Sequence, residues 1–109
     1  MVSDEDVEKA LAYLNADPSP ISLAKLDLMN TENEKERVYA TILMASKGKS
    51  IAAREYEVEA SEEYRVACNM HSAASAAYDD ERARMRGAEA IIDVWRSQNA
   101  NIRAAERIR

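Results

Sequence analysis

The sequence predicts an all-α protein, a helical hairpin with a short N-terminal helix and one long C-terminal amphipathic helix of coiled-coil character. Three observations carry this. A heptad runs unbroken from Tyr64, with Tyr64, His71, Tyr78, Met85, Ile92 and Asn99 at a and Ala67, Ala74, Glu81, Ala88, Trp95 and Ile102 at d. Only two Gly and two Pro stand among 109 residues, of which 32% are charged. Hydroxyl residues followed by acids recur where helices would start. Ala77, Ile91 and Ala105 widen the long stripe on the g side. At ~1.5 Å per residue such a helix reaches roughly 60–70 Å, so the remainder of a small chain is expected to leave part of it uncovered, and self-association is the expected remedy.

The elements follow in order within one domain over residues 1–109. Ser3 before Asp4, Glu5 and Asp6 caps a first helix with the apolar stripe Val7, Ala10, Leu11 and Leu14, ending near Asn15. Asp17-Pro18-Ser19-Pro20 turns the chain, so residues 1–19 form the first helix and turn, and Pro20 takes the first position of helix two behind Ser19. Residues 20–47 carry Ile21, Ala24, Leu28, Val38, Ile42 and Ala45 at helical spacing. The polar middle from Asn30 to Arg37 is kept helical, although Thr31 and Glu34 have the form of a capping box that would start a new helix. Gly48 then reads as a left-handed helix stop. Residues 48–60 hold a turn and a short helix capped by Ser50, and Ser61 caps the long helix over 61–107.

Composition narrows the function classes. The acidic start from Met1 to Glu8 has no apolar run of a leader, nowhere do ~18 apolar residues succeed one another, and a lone Cys68 offers no disulfide framework, which together fit the cytoplasm and no membrane. The net charge of −5 hides an asymmetry: Met1 to Glu81 has 8 Lys/Arg against 17 Asp/Glu, and Arg82 to Arg109 has 7 Arg against 3 acids. A basic end of this kind contacts nucleic acid, or docks on the acidic end of another subunit.

The motifs sort as follows. Gly48-Lys49-Ser50 ends like a phosphate-binding P-loop, but Leu43 occupies the position of that motif's first Gly and a helix precedes it, so the match is rejected. Cys68 and His71 share a helix face, yet zinc needs more ligands than the chain's one Cys and one His, so no metal or other cofactor is expected. Asp79, Asp80 and Glu81 fan out around a helix and do not converge on an acid/base pair. No constellation for an enzyme or a small-molecule substrate emerges. Glu81, at d, wants a partner such as Arg82 or Arg84 of a neighbouring helix.

Two basic constellations are the candidate nucleic-acid contacts. Arg82, Arg96 and Arg103 all fall on e, a line that can track phosphates or pair with Glu of an adjacent helix. Lys47, Lys49 and Arg54 gather around the Gly48 turn, with Tyr56 near enough to stack on a base. The expected oligomer interface comprises Tyr78, Met85, Ile91, Ile92, Trp95, Asn99 and Ile102.

Asp93-Val-Trp-Arg-Ser-Gln-Asn-Ala-Asn-Ile-Arg103, closing a long amphipathic helix, resembles the C-terminal helix of the UvsY-type recombination mediators of bacteriophages. The hairpin with its Gly/basic turn is similar in layout over residues 35–105, and to the small helical proteins encoded beside recombination genes in many phages. The resemblance implies a ring-like homo-oligomer that binds single-stranded DNA and loads a recombinase by displacing single-strand-binding protein, without cofactor or catalysis, in the host cell cytoplasm. It assigns DNA contact to Lys47, Lys49, Arg96 and Arg103. The basic pair that the family carries before that turn is replaced here by Ala40, Thr41 and Ile42. The other class in view is a coiled-coil adaptor or inhibitor whose acidic N-terminal part meets a basic protein.

Overall fold

A computed structural model describes residues 1–108. Four helices follow one another: α1 (Asp4–Leu14), α2 (Pro20–Ala45), α3 (Ile51–Glu59) and α4 (Glu62–Ile108), and the described residues form no strand. The all-α class and the long C-terminal helix are as the sequence predicts, and α4 runs on through Gly87. No helix among the described residues is long and apolar enough to cross a membrane.

Local chemistry sets the helix ends. The Ser3 hydroxyl accepts from the Asp6 amide at 3.1 Å while the Asp6 carboxylate accepts from the Ser3 amide at 3.3 Å, a reciprocal capping box. Those hydrogen bonds to Ser3 hold the Asp6 carboxyl below its ordinary value. Ser19 accepts from the Ser22 amide and Ser50 from the Ala53 amide, so α2 and α3 start where expected. Thr31 starts nothing: its hydroxyl bonds back to the carbonyls of Asp27 and Leu28 at 2.9 and 3.0 Å, and α2 continues through its polar middle. Ser61 serves two helices, donating to the Val58 carbonyl at the end of α3 and accepting from the Tyr64 amide at the start of α4.

Gly48 is not the left-handed stop that was expected. No glycine has positive φ, and α2 already ends at Ala45. The surroundings of Gly48 are tight: a Cβ at position 48 would lie 3.1 Å from both Cγ and the backbone nitrogen of Arg54 and 3.3 Å from the Ala53 carbonyl carbon. The Arg54 guanidinium donates to the Gly48 carbonyl at 3.0 Å, the Gly48 amide donates to the Ser46 hydroxyl, and that hydroxyl bonds the Glu57 carboxylate. The turn is thereby tied to the helix that follows it.

The chain packs as two compact units. Unit 1 (Met1–Leu23 and Asp80–Arg109) buries Val7 and Ala10 of α1 against Ala88 and Ile92 of α4, with Val2, Tyr13 and Ile91 packed around them. Unit 2 (Ala24–Asp79) buries Val58 of α3 completely, with Ala67 and Ala74 of α4. Tyr39 of α2 meets Tyr64 of α4 edge to face, ring centroids 5.4 Å apart. This is the predicted hairpin of α2 against the first turns of α4.

Two stability changes of opposite sign follow. Val58→Ala is expected to cost about 2 kcal/mol in urea unfolding, the transfer of two methyl groups plus the cavity they leave. Gly87→Ala, where nothing lies within 4 Å of the added Cβ, is expected to stabilise by about 1 kcal/mol through helix propensity.

Candidate nucleic-acid interface

Each unit places one basic constellation on its surface. In unit 2, Lys47 and Lys49 are both exposed on either side of Gly48, in the turn leading to the N-terminus of α3. Neither lysine takes part in an ion pair found among the described residues. Arg54 is exposed but held by its bond to the Gly48 carbonyl, which leaves its remaining N–H donors free to point outward. The positive end of the α3 dipole adds to this field.

Tyr56 stands two residues beyond Arg54 on α3. It is 72% exposed, but it opens on a hollow shared with Ala52, Glu55 and Glu59, and two carboxylates beside a ring repel the phosphates that a stacked base would bring. Burial and the same two acids push the Tyr39 phenol above its ordinary range.

In unit 1, Arg82, Arg96 and Arg103 are exposed on α4. The Arg103 Nε donates to the Asn99 carbonyl one turn back at 3.4 Å, a long hydrogen bond that leaves the guanidinium accessible. The ion pairs Glu5–Lys9, Glu34–Arg37, Glu62–Arg65 and Glu81–Arg84 each close within one helix, and neither Arg96 nor Arg103 belongs to them.

The expected oligomer interface divides. Ile92 is 7% exposed and lies in the unit 1 core against α1, so its burial is an intrachain matter and not, as the sequence reading had it, a contact with a second subunit. Ile91 packs on that same core, and Tyr78, Met85 and Asn99 are half-buried within the chain. Trp95 and Ile102, 36% and 45% exposed, remain open on the stripe. Val7 and Ala10 of α1 cover this part of α4, where the small Ala88 stands beside Ile92.

Glu81 at d is also satisfied inside the chain. Its carboxylate accepts from Arg84 on its own helix at 2.8 Å, and the Tyr13 hydroxyl of α1 lies 2.5 Å from Oε2 and 3.0 Å from the Glu81 carbonyl oxygen. Arg84 is thus a partner of Glu81, but on its own helix rather than on a neighbouring one as expected. Tyr13 is the one residue here that sequence reasoning missed; its place seven residues before Pro20 gave no sign of a contact 68 positions away.

Comparison with protein-family models, with curated proteins and with solved structures finds no match.

Burial, the hydrogen bond to Glu81 and the Glu81 charge raise the Tyr13 phenol above its ordinary value of 10.0. A raised acid contributes stability that is fully present below the unfolded value and lost as pH climbs through the folded one. Tyr13→Phe should therefore lower stability by about 1 kcal/mol at pH 8. The gap from wild type should close above pH 10; parallel urea transitions at pH 8 and at pH 11 measure it, and a constant gap would show that the Glu81 contact is not linked to phenol ionisation.

Proposed function

We propose that this chain is a non-enzymatic recombination mediator of phage type, a homo-oligomer in the host cytoplasm that binds single-stranded DNA and assists recombinase loading against single-strand-binding protein. The observation that carries the reading is the Lys47-Gly48-Lys49 turn, with both ammonium groups exposed and the Arg54 guanidinium fixed beside them. Two cations ahead of a helix N-terminus, with a third in the first turn of that helix, neutralise a bent phosphate backbone well. Support also comes from the exposed Arg96 and Arg103 and from the resemblance of Asp93–Arg103 and of the hairpin layout to UvsY-type mediators. No cofactor enters this function, because displacement and loading require only competing equilibria. The exposed Trp95 and Ile102 supply the apolar surface for assembly.

Binding to labelled single-stranded and duplex oligonucleotides over a salt series tests the reading. Single strands are expected to bind more tightly, log K falling with log salt by about 0.7 for each phosphate neutralised. Lys47→Glu with Lys49→Glu should lower single-strand affinity at least tenfold and flatten that slope by about 1.4, two contacts' worth. Unchanged binding by the double variant removes the turn from the site.

A second reading rests on the acidic excess of residues 1–81. An adaptor or inhibitor would offer that charge to a basic protein partner. It is favoured if the protein binds neither form of DNA at low salt and recovers a defined protein partner.

A further inference from the structure

Unit 2 carries a groove that its own residues leave open. Between α2 and the first turns of α4, Val38, Val66, Ala67 and Met70 line a hollow of about 450 Å³, with Val66 44% and Met70 57% exposed. The rim is acidic: Glu34, Glu62 and Glu63 stand there against Arg37 alone. Glu34 is spent on Arg37 and Glu62 on Arg65, whereas Glu63 belongs to none of the ion pairs found among the described residues. An apolar floor with a net negative edge fits a helix that has an apolar stripe and a basic flank.

The chain itself has such a helix. In the last turns of α4, Trp95 and Ile102 lie seven residues apart on one exposed stripe. Arg96 and Arg103 follow them with the same spacing, on the adjoining flank and outside any ion pair found. Heptad spacing keeps both pairs aligned along one side of a helix.

We propose that the C-terminal turns of α4 from one copy of this chain dock in the α2/α4 groove of a second copy. Trp95 and Ile102 cover Val66 and Met70, and Arg103 meets Glu63, which leaves the Lys47–Lys49 turn and Arg96 as the DNA contacts. The contact rests on the homo-oligomer reading above and specifies it. Donor and acceptor are different surfaces, so the contact is heterologous: each copy that gives its helix still has an open groove, and assembly continues to a ring or a filament.

A mixing experiment tests this. A donor-blocked variant carries Ile102→Asp with Arg103→Glu; an acceptor-blocked variant carries Val66→Glu with Met70→Glu. All four positions are exposed, and circular dichroism verifies that each variant stays helical. In size-exclusion chromatography with light scattering, wild type is expected to exceed a dimer and each variant alone to be a monomer. An equimolar mixture should form a dimer and stop there, because one intact donor meets one intact acceptor. Wild-type assembly that survives in either variant, or a mixture that stays monomeric or grows to wild-type size, overturns the docking contact. A monomeric wild type overturns the oligomer reading itself and the contact with it.

Discussion

An apolar stripe along a helix of 47 residues has to be covered, and the arrangement of the rest of the chain answers to that requirement. In unit 1 the cover is α1, which sets Val7 and Ala10 on Ala88 and Ile92. In unit 2 it includes α2, which meets the first turns of α4 through Tyr39 and Tyr64, and Val58 of α3 is fully buried there. Much of the buried surface on α4 is methyl groups, and each contributes little by itself. Stability therefore depends on the close approach that alanine permits, more than on large side chains.

Polar groups within these seams are handled by neighbours at hand. Glu81 would be costly at a seam position without partners, and it has two, Arg84 on the same helix and Tyr13 from α1. Ser61 joins α3 to α4 without a loop, and the Ser46, Gly48, Arg54 and Glu57 set fastens the end of α2 to α3. Lys47, Lys49 and Arg96, by contrast, belong to none of the ion pairs found among the described residues.

What the sequence made legible was local. Ser3, Ser19, Ser50 and Ser61 announce helix starts because a cap is a bargain between residues three apart, and the heptad announces α4 because periodicity is a property of one element. What it hid was pairing between distant segments. The Tyr13 contact with Glu81 and the burial of Ile92 by Val7 depend on which helix lies beside which, and no local pattern encodes that. Gly48 differs from expectation for a related reason: its backbone is not left-handed, and what crowds it is Arg54, six residues on. For the candidate site, the basic residues were visible as charges. That Glu59 lies beside Tyr56 could be suspected from their i,i+3 spacing, and Glu55 stands one turn before Glu59.

The alanines buried at positions 67, 74 and 88 bear on how such a chain can change over time. Where such a methyl group meets a facing helix a larger side chain would pry the helices apart, and a glycine would loosen α4. The inner face is thus held nearly constant in size while remaining bland in character, since alanine at heptad spacing is common to countless close-packed helices. Whatever individual signature this protein passes on would have to reside elsewhere: in the turn around Gly48, in the Ser61 joint, and in the arginines of the open flank.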